Sequence, residues 1–413
     1  MKKINGGVLM KKVLSIIMVF LFAFSVVGFT AGEKEAETPG VTEDSILVGY
    51  TMPMSGPLGY IGGQVAKATE AVFDKYNKQG GIYGRKLKLI TYDSGLDAGQ
   101  ALANYRKLIL EDKVFCVLFG FGTFVRPAYS FFEEQKVPWL FPMAPPYDMV
   151  FPAHKYLFSL FPTTATQVKV MAKWTIAQKK YKRLACIYGD SASGKTGLDG
   201  LKEAIAGSDV KLVDAEAIPL NATSAAVQVA KISQAKPDMV MIIGMVHGPA
   251  ALSVKEIKKI GLNTDVMLAM PISGSTILRM LKGTDTEGLY GSWWGAIQYP
   301  NSKSTETKQM KAMRELLIKY DPKMYNENNV GGNVEHALSV ELFIEALKRA
   351  GKNLTREGLI KAMESFKNYD TGKGSTATFS PTRREGVAGG IIMQVKNGDW
   401  VPVSNWINVD VGQ

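Results

Sequence analysis

The sequence predicts an α/β protein built as two doubly wound parallel-sheet lobes. Three observations carry that expectation. The chain has 413 residues, more than one ordinary domain accommodates. Short apolar runs alternate with segments of helical spacing, and the alternation starts afresh once, after Thr163. The composition, 46% hydrophobic and 21% charged, is that of a globular chain. It excludes a disordered tail and a polytopic membrane protein, and two Cys exclude a disulfide scaffold. The net charge of +11 is ambiguous: nucleic acid, an acidic membrane surface, or no partner at all.

The first lobe opens with the strand Ser45–Met52, which ends in the turn cluster Pro53-Met54-Ser55-Gly56-Pro57. Val65, Ala68, Val72, Phe73 and Tyr76 then fall at helical spacing, and Gly80-Gly81 stops that helix. Leu87–Tyr92 reads as a strand, Ala98–Leu110 as a helix, Val114–Phe119 as a buried strand, Arg126–Gln135 as a helix and Trp139–Pro142 as a strand. Such βα alternation implies a parallel sheet with helices on both faces.

The second lobe follows the same logic. Thr166–Lys179, Thr196–Ala206, Ala225–Ala235 and Ala250–Ile260 read as helices. The strands between them are Arg183–Tyr188, Val210–Ile218, Met239–Ile243 and Val266–Met270. Cys116 and Cys186 lie in apolar strands of different sheets, so both read as buried thiols. An aromatic stretch (Trp293, Trp294, Tyr299) precedes helices at Ser304–Tyr320, Asn333–Ala350 and Arg356–Ser365. A hairpin, Gly389–Lys396 and Trp400–Val403 about the Asn397-Gly398-Asp399 turn, ends the chain.

Residues 1–31 carry Lys2, Lys3, Lys11 and Lys12, no acid, and the apolar run Val13–Val27, which together describe a secretory signal peptide. Met10 would serve as a second start. Ala23-Phe24-Ser25 fits a cleavage site, with Thr30 and Ala31 as alternatives. The run is short for a membrane span. Cleavage lowers the net charge from +11 to +7 and places the mature chain, after a polar linker at 32–44, in the periplasm or outside the cell. There it is removed from ATP, NAD and the genome.

Two motifs suggest chemistry. Gly189-Asp190-Ser191-Ala192-Ser193-Gly194-Lys195-Thr196 fits the phosphate-binding formula G-x-x-x-x-G-K-[ST] between a strand and a helix. Export, and the lack of a later strand ending in a metal-binding Asp, argue instead for a capped helix start and for no nucleotide. Ser191 within Gly-Asp-Ser resembles the nucleophile of one class of hydrolases, but no Asp-x-x-His block or G-x-S-x-G elbow accompanies it. His154, His247 and His336 show no metal spacing, and His247 alone follows a strand at a cleft position. The basic residues are spread over helix faces without aromatic interleaving, which argues against nucleic acid.

Several segments resemble the branched-chain amino-acid-binding proteins of ABC importers. These are Ile46-Leu47-Val48-Gly49-Tyr50-Thr51-Met52-Pro53-Met54-Ser55-Gly56-Pro57, Asn77-Lys78-Gln79-Gly80-Gly81-Ile82-Tyr83-Gly84 and Leu87–Ser94. Phe119-Gly120, Arg126-Pro127-Ala128, Lys136-Val137-Pro138 and Glu345-Ala346-Leu347-Lys348-Arg349-Ala350-Gly351 add to them, so the likeness runs from about Ser45 to Trp400. The resemblance implies a type I periplasmic binding protein, with two lobes on a multi-segment hinge closing on a small ligand and docking on ABC permease subunits. By analogy the N-lobe is 45–163 plus 288–370 and the C-lobe 164–287 plus 371–413. No cofactor is implied.

In that family the ligand carboxylate is held by hydroxyls and backbone N–H groups of two N-lobe loops, here Phe121-Gly122-Thr123-Phe124 and Met143-Ala144-Pro145-Pro146. The family's second Thr, which helps grip the ammonium, falls at Pro145. Its acidic partner for the ammonium is missing near Met270-Pro271-Ile272, and its aromatic falls at Ser193. Burying an ammonium without a carboxylate costs several kcal/mol. The expected ligand is therefore a small acid with an aromatic or apolar body and no free amine. The expected lining adds Ser55, Tyr60, Tyr147, Met245, His247, Met270, Trp293 and Trp294. The alternatives are a branched-chain amino acid or amide binder, a sensory ligand-binding protein and, remotely, an exported hydrolase using Ser191.

Overall fold

The computed structural model describes residues 38–56, 59–121, 126–143, 145–296, 306–324 and 332–411; within them the side chains of 60, 275, 324 and 332 are not described. The signal-peptide reading of residues 1–31 lies outside this set. In chain order the elements are β1 (Ser45–Met52), α1 (Gly59–Lys78), β2 (Lys86–Asp93), α2 (Ala98–Arg106), β3 (Cys116–Leu118), α3 (Arg126–Glu134), β4 (Trp139–Leu140), α4 (Tyr147–Val150) and β5 (Leu157–Phe158). They continue through α5 (Thr164–Ala177), β6 (Arg183–Gly189), α6 (Ala192–Ile205), β7 (Lys211–Ile218), α7 (Ala226–Gln234), β8 (Met239–Ile243), α8 (His247–Lys259), β9 (Asp265–Leu268), α9 (Ser275–Met280) and β10 (Tyr290–Trp293). The chain ends with α10 (Lys308–Tyr320), α11 (Gly332–Ala350), α12 (Arg356–Glu364), β11 (Tyr369–Asp370), β12 (Thr376–Ala377), β13 (Gly389–Lys396), β14 (Asp399–Pro402) and β15 (Ile407–Asn408).

The first sheet runs β2-β1-β3-β4-β5, all parallel, and the second β14-β13-β10-β9-β8-β6-β7, with β13 and β14 antiparallel. Side-chain alternation assigns each strand residue to a face. On β6, Leu184 and Cys186 join a core under α5 and α6, whereas Ala185 and Ile187 join a core under α7 and α8. The first sheet is covered likewise, by α1, α11 and α12 on one face and by α2 and α3 on the other. Near-continuous apolar strands are thus buried on both sides, as parallel sheets require.

Helix ends follow local chemistry. Asp97, Thr163, Ser191, Thr307 and Thr355 each accept a hydrogen bond from the backbone N–H three residues on, at the starts of α2, α5, α6, α10 and α12. Gly80 and Gly81, both at positive φ, terminate α1.

Strand pairing moves two of the expected lobe boundaries. Tyr290–Trp293 pairs with both β9 and β13, so the chain leaves the second sheet after Trp293, not at 288. Ala377, Phe379 and Val387 pack in the first lobe's core, so the last crossing falls just before Gly389, not at 371. The three crossings are therefore 159–163, 294–296 and 386–388; Ser159 of the first bridges Glu385, and its carbonyl accepts from Gly386 N–H of the third at 2.8 Å. The expected helix from Thr196 starts at Ala192, where Ser191 caps it. The helix expected over Ala98–Leu110 passes into a π turn after Arg106. The start of the helix expected at Ser304 lies outside the described residues.

Candidate functional site

The loops after β3 and β4 leave the first sheet side by side. Met143 N–H donates to the Gly120 carbonyl at 2.7 Å, and Phe121 bridges Met143. Both loops begin with a buried phenylalanine in the left-handed region, Phe119 at φ 61° and Phe141 at φ 63°. That conformation is uncommon for an aromatic residue and marks a backbone held in place by its surroundings. Gly120 follows at φ 107°, and a Cβ there would lie 2.3 Å from the Tyr105 hydroxyl. Beneath Phe121 a cavity of about 10 Å³, the size of one water, is lined by Thr51, Ser94, Leu96 and Tyr105.

The predicted residues fall into three groups. Phe121, Met143, Met270, Trp293 and Trp294 all pack in or against the first lobe's core; Met270 reaches it from the end of β9, and Trp293 packs against the cores of both lobes. Trp294 is buried with its ring 4.9 Å from Phe161. A second group sits on the second lobe's rim. Met245 is buried there, and the half-buried His247 donates to the Pro271 carbonyl, tying the loops after β8 and β9; burial foremost pushes its pKa down, against that hydrogen bond. Ser193 meets Thr164 Oγ1 through its Oγ at 2.7 Å, joining α6 to α5.

Ser55, Pro145 and Tyr147 make up the third group. Ser55 is exposed and committed to Asp93, whose carboxyl that bond, chiefly, holds below its usual value. Tyr147 opens α4, half-buried, with its pKa raised by burial and, to a lesser extent, by Glu203 and Glu385. Pro145 is buried. Gly122, Thr123, Phe124 and Ala144 lie outside the described residues, and the Tyr60 side chain is not described.

The segment 189–196 owes its glycines to packing. A Cβ on Gly194 would sit 1.9 Å from the Gly189 carbonyl oxygen, and one on Gly244 2.5 Å from Gly194 Cα. The loops after β6 and β8 are pressed together there. Gly194 N–H, which a phosphate cradle would offer to its ligand, donates to Ser191 Oγ at 3.1 Å, and Lys195 pairs with Asp190 at 2.9 Å.

Sequence reasoning missed the charged groups of the hinge. Glu385 is buried between the first and third crossings, accepting from Thr163 N–H at 2.6 Å, and burial pushes its pKa up to about 7. Glu335, in the first turn of α11, accepts from Trp293 Nε1 at 3.1 Å. Lys373 is 1% exposed, its Nζ 4.4 Å above the Trp294 ring and 5.7 Å from that of Phe161. Burial raises the Glu335 pKa and lowers that of Lys373, each opposing the other's shift. An acid amid the apolar positions Val334, Ala337 and Leu338 was the available signal for Glu335. Lys373, between two glycines, carried none.

Among the described residues no helix is long and apolar enough to cross a membrane, and no group of three His, Cys, Asp or Glu could hold a metal ion.

The profile of the periplasmic binding protein family matches residues 45–399. A curated relative, "Leu/Ile/Val-binding protein homolog 3" of Brucella melitensis, is 25% identical over 339 residues, 82% of this chain and 88% of the relative. Among solved structures, a branched-chain amino acid ABC transporter protein of Thermus thermophilus with bound valine superposes with a TM-score of 0.76 at 18% identity, covering 89% of this chain and 98% of that one. A fatty acid ABC transporter substrate-binding protein of Thermomonospora curvata gives 0.75 at 22% identity, covering 91% and 95%. With two doubly wound lobes and a family match over residues 45–399, this protein belongs to the periplasmic binding protein family, with the fold of its solved neighbours.

Proposed function

We propose that the mature chain, freed of its signal peptide, captures a small organic acid without a free amine in the interlobe cleft and delivers it to ABC permease subunits. The observation that carries this reading is the chemistry at the end of β9. Where relatives that hold an ammonium would need an acid, Met270 and Ile272 are buried among apolar neighbours and Pro271 lies between them. Pro145 offers neither a hydroxyl nor an N–H in the loop opposite. The two buried hinge carboxylates are engaged, Glu335 by Trp293 and Glu385 by Thr163. Phe121, Met143, Trp293 and Trp294 supply apolar and aromatic surface for the ligand's body, which supports an aromatic or apolar carboxylate.

A second reading, a branched-chain amino acid, is favoured by the names of the relatives, which include a "Leu/Ile/Val-binding protein" and a structure with bound valine. A thermal-shift screen separates the two. A ligand at about 100 Kd adds roughly 2.7 kcal/mol, which raises Tm by about 3–4 °C for a chain of this size. The proposal expects that shift from benzoate, phenylacetate or octanoate and none from leucine or valine; the reverse pattern refutes it.

A further inference from the structure

Lys373 stands out among the buried groups of the hinge. It lies in the loop Thr371-Gly372-Lys373-Gly374-Ser375, closed by the Thr371 hydroxyl donating to the Ser375 carbonyl at 2.8 Å. Its own carbonyl accepts from Ala296 N–H in the second crossing. Its side chain runs inward to where Phe161 of the first crossing, Trp294 of the second and Ser339 of α11 converge.

The ammonium there is short of partners. It donates to Ser339 Oγ at 2.7 Å, and the Ser339 hydroxyl in turn donates to the Glu335 backbone carbonyl at 3.0 Å. An ammonium has three donors, so among the described residues two are left over. Among the described residues no carboxylate oxygen comes within 4.0 Å of Nζ, and Glu335 acts on it from farther away. The faces of Trp294 and Phe161 repay part of the desolvation but accept no conventional hydrogen bond. A buried cation with uncommitted donors is costly to keep, and such groups concentrate at binding sites. The indole of Trp293, packed against both lobes, borders the same spot through Glu335.

We propose that Lys373 is the anion anchor of the interlobe cleft, its free N–H donors taking the ligand's carboxylate while Trp294 and Phe161 flank the bound group. The inference rests on the proposal that the ligand is an acid without an amine, and it names the residue that selects for the charge. Glu335 tempers the anchor by offsetting the Lys373 charge.

Calorimetric titration of the full mature protein with benzoate, phenylacetate and octanoate, each paired with its neutral amide, tests it. The wild type is expected to prefer the acids roughly tenfold or more. Lys373→Met should weaken acid binding by about 10- to 100-fold and leave the amides within about twofold, erasing the preference. Glu335→Gln should tighten acid binding several-fold and leave the amides unchanged, which gives a readout even if Lys373→Met does not fold. A Lys373→Met protein that keeps the preference, or a Glu335→Gln protein with unaltered acid affinity, overturns the anchor while the organic-acid reading stands. A wild type that binds leucine and none of the three acids overturns that reading itself.

Discussion

Glu385→Gln isolates the electrostatics of the hinge. The carboxyl is almost fully buried, bonded to Thr163 N–H and to the hydroxyls of Thr163 and Thr166. The nearby Arg383 guanidinium is occupied by the carbonyls of Glu385 and Gly386, at 3.0 and 2.9 Å. Burial dominates, and the pKa rises from 4.5 to about 7. A raised pKa means that the folded state holds the proton more tightly than the unfolded chain. The resulting stability is therefore fully present below about pH 4.5 and lost as pH rises through 7. The gap corresponds to on the order of 3 kcal/mol. Glutamine keeps the acceptor for Thr163 N–H and cannot ionise. Urea denaturation of both proteins at pH 5 and pH 8 should show the variant gaining on the wild type by about that amount over the interval. A difference that stays constant with pH to within about 0.5 kcal/mol refutes the account of Glu385 as a buried, neutral-range carboxyl.

Gly194→Ala drives a methyl into the Gly189 carbonyl and should cost about 2–3 kcal/mol, lowering Tm by about 3–4 °C. An unchanged melting curve would mean that the β6–α6 turn does not hold Gly194 against the Gly189 carbonyl. Cys116 and Cys186 are fully buried, and burial holds both thiol pKa values far above their usual range. Neither should react with Ellman's reagent at pH 8 in the native protein, and both should react in denaturant; rapid labelling of the native chain contradicts the strand placement.

The lobes were legible because their signals are local and repeated. Alternating residues on β6 and β8, capping residues such as Thr163 and Thr355, and the Gly80-Gly81 stop each act over a few positions. The last crossing was not, because Ala377, Phe379 and Val387 declare their lobe only through long-range packing. Trp293 was read as site lining, and its strand role in β10 went unread, since an aromatic pair fits both. Strand-end position singles out Phe121, Met143, Met270 and Trp294, which pack in or against the first lobe's core, and equally Ser55, which is exposed. Lys373 escaped because a lysine between glycines reads as a solvated turn; its burial follows from the second crossing closing over it through Ala296.

The proposal at the centre of this account is that the cleft takes an acid and has no use for an amine. Isothermal titration of the mature protein at pH 7 with phenylacetate and with leucine tests it most directly. The account predicts saturable one-to-one binding of phenylacetate and no heat from leucine. One-to-one binding of leucine with none of phenylacetate would contradict it.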